Sequence, residues 1–302
     1  MLDGRSSSII FFLILKVSSL LESNPMLNFF RSTSLVSIAV TLLSLMQSAS
    51  TVFAQTWSPL DTLDIPSKKF QVDALENVYA MTDDYIEVLR RQDGRTFRSS
   101  FLEYGSNYLL DLTNPLKPFL FYPDQGIALF LDNMLSFQGE TVRWQEMGFE
   151  QIELMAGSRG DHFWLWDGLS NELIRVNKQL QVQQRTGELS ARLGMVIRPI
   201  QIMECGDDVC VVTESGDVLV LDLFGAYRSR FQIPQGSRLL GFKGAVVVWQ
   251  QANAMHLLDI QTWAEEVVGG MPAQCVFECW QSDRWYARCG KEVVRYALLA
   301  KQ

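Results

Sequence analysis

Six stretches of this chain repeat one design, and that repetition limits the fold more than any other property. In order they read "NVYAMTDDYIEVLRRQDGRTFRSSF", "PFLFYPDQGIALFLDNMLSFQGETV", "HFWLWDGLSNELIRVNKQLQVQQRT", "DVCVVTESGDVLVLDLFGAYRSRFQI", "GAVVVWQQANAMHLLDIQTWAEEVV" and "RWYARCGKEVVRYALL". Each opens with a strand-forming run and passes a polar turn into a second, alternating strand; in five of the six a third, polar strand follows. The residue closing the second strand marks the phase: Asp93, Asp132, Asn177, Asp222, Asp259 and Ala297, at intervals of 37 to 45 residues. Short apolar segments lie between the units ("YLLDLT", "QIELMA", "IQIMEC", "RLLGF", "QCVFEC"), each one further strand. Four short antiparallel strands recurring every 40–45 residues or so are the signature of a propeller blade. No helical apolar spacing is sustained over a helix's length, which argues against a helical solenoid or a βαβ sheet. The expected fold is all-β: a six-bladed β-propeller of four-stranded antiparallel blades.

The sixth unit ends in "VVRYALLAKQ", with no room for an outer strand, while "LDTLDIPSKKF" near the other end has a strand to spare. A strand from Asp61 to Pro66 is expected to complete the last blade and close the ring, removing an open sheet edge. Ahead of it, residues 26–54 have the layout of a secretory signal: Arg31, the apolar run Leu35 to Met46, then a polar segment ending Val52-Phe53-Ala54. The run is 12 residues, short of the about 20 that span a membrane. Residues 1–25 fit a start-site overrun ahead of Met26, and residues 55–302 a single propeller domain. The expected product is exported, periplasmic or secreted, monomeric and without a membrane span in its mature part.

The formal net charge is −8, from 26 basic and 34 acidic residues. An acidic chain with no Lys/Arg block lacks the electrostatic footprint of a nucleic-acid binder. The units at "FLFYPDQGIALFLDNML", "FWLWDGLSNELIRVNKQL" and "GDVLVLDLFGAYRSRF" resemble an uncharacterised family of exported six-bladed β-propeller proteins from Bacteroidetes, with an NHL- or TolB-like architecture. They share a Phe-Trp-x-x-Asp strand and an Asp-x-Phe-Gly-x-Tyr turn, over roughly residues 63–300. The resemblance implies fold and export; it carries no catalytic residues.

Five cysteines fall after the signal. In "ECGDDVC" a two-residue Asp207-Asp208 turn would set Cys205 opposite Cys210, within reach of a disulfide that export permits. Two of Cys275, Cys279 and Cys289 are expected to pair, the choice depending on hairpin register. With two histidines, His162 and His256, and no Cys-x-x-Cys, a zinc site and a His-based triad are poorly supported, and no cofactor or metal is expected. Arg159-Gly160-Asp161 matches an integrin-binding tripeptide but reads equally as a turn. Among aromatic residues, Trp164 and Trp166 share one face of a strand; inter-blade core is the first reading, a glycan- or peptide-binding platform the second. Asp83, Asp84, Asp207 and Asp208 are candidate paired carboxylates, although carboxylates in turns usually shape the turn. Two functions stand against each other: a non-enzymatic binding or scaffold protein for a protein or envelope ligand, and a hydrolase or lyase acting on extracellular polymer through carboxylates at one channel mouth. The absence of a repeated catalytic signature favours the first.

Overall fold

The computed structural model describes Thr56 to Leu299 apart from Pro66, Lys68, Met271 and Ala273, so the expectations for residues 1–54 lie outside the described residues. Six four-stranded antiparallel sheets make six blades. Blade 1 holds Lys69–Val72, Val78–Met81, Ile86–Leu89 and Thr96–Ser99. Blade 2 holds Leu109–Asp111, Phe119–Tyr122, Ile127–Phe130 and Val142–Arg143. Blade 3 holds Ile152–Ser158, His162–Asp167, Glu172–Val176 and Val182–Arg185. Blade 4 holds Pro199–Cys205, Asp208–Thr213, Asp217–Asp222 and Tyr227–Gln232. Blade 5 holds Arg238–Lys243, Val246–Gln251, Ala254–Asp259 and Glu265–Val268. Blade 6 holds Cys275–Gln281, Arg284–Cys289 and Glu292–Leu299, and its outer strand is Thr56–Leu63 from the other end of the chain.

Blade 4 shows why these sequences make propeller strands. Every residue of Asp208–Thr213 is buried, because both faces of the sheet are covered. Val209 and Val211 turn toward blade 3 and pack with Trp164, Trp166, Leu219 and Leu221. Cys210 and Val212 turn toward blade 5 and pack with Val218, Val220, Val247 and Trp249. Alternation therefore separates two cores rather than a core from solvent, and each large apolar side chain buried this way contributes about 1.5–3 kcal/mol.

Four of the six phase-marking residues shape the third turn of their blades, 2 to 5. Asp132 Oδ1 accepts from the backbone N–H of Met134 and Ser136, at 2.8 and 2.9 Å. Asn177 does the same for Gln179 and Gln181, and Asp222 for Phe224 and Ala226. Asp259 caps Gln261 and Thr262, and these donors hold its carboxyl below the usual range. Such Asx turns are local chemistry, which is why they recur. Two markers are corrected. In blade 1 the in-phase residue is Arg90, whose N–H meets Arg95 O; Asp93 comes later in the turn and pairs with Arg90 at 3.0 Å. Ala297 is no turn residue, because blade 6 has no third turn: it lies inside Glu292–Leu299, opposite Ser58.

The closing strand begins earlier than expected, at Thr56, and ends at Leu63. Trp57 explains the shift: its ring packs on Phe277 and Trp285 at 4.7 and 5.2 Å, and its Nε1 donates to Gly269 O. Pro59 sits in this edge strand beside a bulge, where a missing N–H is tolerated. First turns of neighbouring blades are joined by Lys117–Asp161 (blades 2 and 3), Arg159–Asp207 (3 and 4) and Lys243–Asp283 (5 and 6), while Ser282 donates to Ala74 O across the seam.

Candidate functional site

Blade 2 departs from its siblings in two loops. Seven residues, 112–118, join its first two strands, where blades 4, 5 and 6 use two; eleven, 131–141, join its last two. These loops and the matching turns of blade 3 wall a cleft of about 1210 Å³ between the two blades. It opens on the face that carries the first and third turns.

The cleft floor is aromatic. Phe119, Phe130 and Phe163 meet with centroids 5.2–5.8 Å apart and ring planes inclined by 51–86°. At the inner end, Asp111 accepts from Thr113 N and Gly157 N, both at 2.9 Å; burial nonetheless pushes its carboxyl up, outweighing those donors. Gly157 is there because of close approach: a Cβ would lie 2.8 Å from that of Thr113. On the other side of this strand the Glu204 carboxylate of blade 4 accepts from Ser158 Oγ, Trp164 Nε1 (3.2 Å) and Arg159 N (3.3 Å), with Arg159 Nε at 3.4 Å. Arg175 donates to Ser158 Oγ at 3.1 Å and lies over the Trp164 ring. The lip carries Lys117, whose Nζ is 2.7 Å from Asp161, with Lys178 beyond it; the Lys117 hydrogen bond holds the Asp161 carboxyl below its usual range against a small burial effect, helped by both lysine charges.

The residues singled out from sequence sit elsewhere or act otherwise. Trp164 and Trp166 are buried in the core between blades 3 and 4, so neither presents a ring to a ligand; the face opposite, with Phe163, is the one that reaches the cleft. Asp207 is exposed and spans to Arg159. Asp208 is buried 2.9 Å from Arg228 Nη1; burial raises its carboxyl pKa despite Arg228, with Asp222 and Asp207 adding to the rise. Asp83 and Asp84 are in the second turn of blade 1, on the opposite face, beside a cavity of about 110 Å³ with Tyr108 and Tyr122. The two acidic pairs are therefore not brought together. His162 Nδ1 lies 2.9 Å from Gly160 O, and His256 stacks on Trp249 and meets Glu265 at 2.6 Å. No group of three His, Cys, Asp or Glu side chains suited to a metal occurs among the described residues. Arg159 and Asp161 of the integrin-like tripeptide are both engaged by neighbouring blades.

Cys205 and Cys210 form a disulfide with Cα atoms 6.1 Å apart, but the hairpin register differs from expectation. Cys205 faces Asp208 and Cys210 faces Met203, so the two are diagonal neighbours and the turn is Gly206-Asp207. Gly206 takes φ 68°, and only glycine adopts that without cost, which moves the turn one residue back. Cys275 and Cys289, directly opposed in register, form the second disulfide. Cys279 is free and half-buried on the other face of the blade.

No family model matches the chain, and no curated protein does. Solved propellers do. A streptogramin B lyase superposes with a TM-score of 0.52 at 10% identity, over 83% of this chain and 100% of its own. Virginiamycin B lyase from Staphylococcus aureus gives 0.51 at 10% identity, over 81% and 100%. A catalytically inactive variant of that enzyme with quinupristin gives 0.50 at 10%, over 81% and 99%. The likeness is one of fold. At this identity it brings no residue roles to the cleft. Of the cleft residues, the sequence marked Phe163 only as the aromatic on the strand face opposite Trp164 and Trp166, and did not single out Phe119, Phe130, Lys117 or Lys178; the long loops 112–118 and 131–141 are the one local sign of these.

Proposed function

We propose that the protein is an exported, non-enzymatic binding module that holds a segment of a partner protein in the cleft between blades 2 and 3. The observation that carries this reading is the cleft itself: about 1210 Å³, walled by two atypically long loops and floored by three phenylalanine rings. A large preformed concavity with an apolar floor and a few polar groups is the usual form of a recognition site. The acids near it are committed. Asp111 and Asp132 cap backbone donors, Glu204 is held by Ser158, Trp164 and Arg159, and Asp161 takes Lys117. Two disulfides support an oxidising compartment, in keeping with export. The lyases of similar fold favour no enzymatic reading here, because fold does not carry activity.

The test is a photo-crosslinking amino acid placed at Gln179 in the producing cell, with Lys291 on the opposite face as control. A protein adduct of constant mass at Gln179 and none at Lys291 is the expected result. A purified protein that turns over a polysaccharide or peptide, with no adduct at Gln179, refutes the reading.

A further inference from the structure

Resting on that reading, we infer that the cleft selects a peptide segment carrying one aromatic or large aliphatic side chain for the phenylalanine socket and one carboxylate for Lys178 at the lip. Three features separate this ligand from others of similar size. A pyranose ring stacks on a flat, exposed aromatic face. Here the rings of Phe119, Phe130 and Phe163 are inclined to one another by 53°, 86° and 51°, and Phe119 is only 2% exposed. The socket floor therefore presents the partly exposed Phe130 and Phe163 at an angle rather than one flat face, which suits a side chain better than a sugar ring. Above the socket the walls carry Asn114, Gln138, Gln179 and Gln183. Asn114 Oδ1 already accepts from Leu116 N, Gln138 donates to Asp132 and Ser136 O, and Gln183 donates to Gln181 O, which leaves Gln179 as the carboxamide with no partner among the described residues. A carboxamide offers donor and acceptor together, which matches the alternating N–H and C=O of an extended backbone.

Charge accounts for the third feature. The cleft is lined by Asp111, Asp132 and Asp161 against Lys117, Arg159 and Lys178. Asp111 and Asp132 spend their oxygens on backbone and amide donors, and Arg159 is bound to Glu204 and Asp207. Asp161 is left to serve two ammonium groups, Lys117 at 2.7 Å and Lys178 farther off. The lip therefore has one cation more than its accessible carboxylates satisfy, and Lys178 is exposed to solvent. An acidic residue of the ligand placed there neutralises it, and a second lysine or arginine is repelled.

A phage-displayed library of random heptapeptides, selected on the full purified protein, tests this. Enriched peptides are expected to share an aromatic or leucine position with Asp or Glu at a fixed offset. Their binding should fall about tenfold or more in Phe163→Ser, and Lys178→Glu should shift the selected charge from acidic to basic. Because Phe163 also packs in the core, Leu116→Asp, at a position 59% exposed on the cleft wall, is the second socket variant. Peptides lost in both socket variants but indifferent to charge and to Lys178→Glu overturn the inference and leave the cleft reading standing. No enrichment, or enrichment insensitive to all three variants, overturns both.

Discussion

Arg295 is expected to hold the ring shut, and Arg295→Met measures by how much. Its side chain is 9% exposed and forks onto Asp61 of the closing strand, Nε to Oδ1 and Nη2 to Oδ2 both at 2.9 Å. Its third nitrogen, Nη1, reaches Glu76 in the first turn of blade 1, and Arg91 of that blade lies 3.4 Å from Asp61. One guanidinium thus joins blade 6, the strand that completes it and the next blade. Methionine removes the charge and leaves two carboxylates whose side chains are 31% and 23% exposed. Breaking a fully buried pair costs about 3–5 kcal/mol. Partial solvation of both acids, and Arg91 beside them, reduce this to about 2–3 kcal/mol. For a domain of this size that lowers the melting temperature by roughly 5–10 °C. Lys243→Met is the control, since the Lys243–Asp283 pair is 49% and 65% exposed and should be worth under about 1 kcal/mol. Arg295→Lys keeps the charge but not the fork, and should fall between. The assay is thermal melting by circular dichroism and calorimetry with both disulfides intact. If Arg295→Met melts no lower than Lys243→Met, the network does not hold the seam, and strand pairing with Trp57 does so alone.

Replacing Cys275 and Cys289 by serine should cost more in urea unfolding than replacing Cys205 and Cys210, because the sequence separations are 14 and 5; loop-closure entropy gives about 3 and 2 kcal/mol, and a reversed order would contradict it. The Cys279 thiol, pushed up to about 12 by burial, should resist iodoacetamide in the native protein at pH 8 and react on unfolding. Its proton stays on in the folded state while the unfolded thiol ionises from its ordinary 9.0, so the stability it lends is intact below pH 9 and is lost as pH rises toward about 12. Cys279→Ala should therefore flatten the alkaline decline in stability; the part left belongs to Tyr79, Tyr108, Tyr122 and Tyr286, which burial shifts the same way. Asp222→Ala strips the acceptor from Phe224 and Ala226 and should cost about 1–2 kcal/mol. Asp222→Asn should be neutral or slightly stabilising, since Asn177 caps the equivalent turn of blade 3 and the Asp208 carboxylate opposite is relieved of a like charge. Chemical denaturation of both variants decides this, and equal losses would remove the turn from the account.

What could be read along the chain was what the chain does locally. Asp132, Asn177, Asp222 and Asp259 each cap N–H groups within a few residues, so the turn and its phase repeat in the sequence as they do in space. Period-two alternation in Phe163–Trp166 separated the two faces correctly, because a strand leaves no other choice. The surplus strand at one end and the gap at the other announced a closed ring, though not that Trp57 would anchor it from Thr56 onward. The phase slipped where a turn used other chemistry, at Arg90 in blade 1, and the cysteine hairpin shifted by one residue on the φ of Gly206.

Apart from the burial of Trp164 and Trp166 between blades 3 and 4, what happens between blades was decided by tertiary structure. Phe119 and Phe130 come from one blade and Phe163 from the next; whether three phenylalanines form a socket or separate core contacts depends on how two sheets meet. Asp207 looked like half of a catalytic pair and is a bridge to Arg159, because its neighbour in space is 48 residues away. Strand, turn and blade number follow from short-range backbone chemistry that a repeat writes out six times. The cleft, the ion pairs across turns and the seam at Arg295 depend on contacts between residues far apart in the chain, which no local pattern encodes.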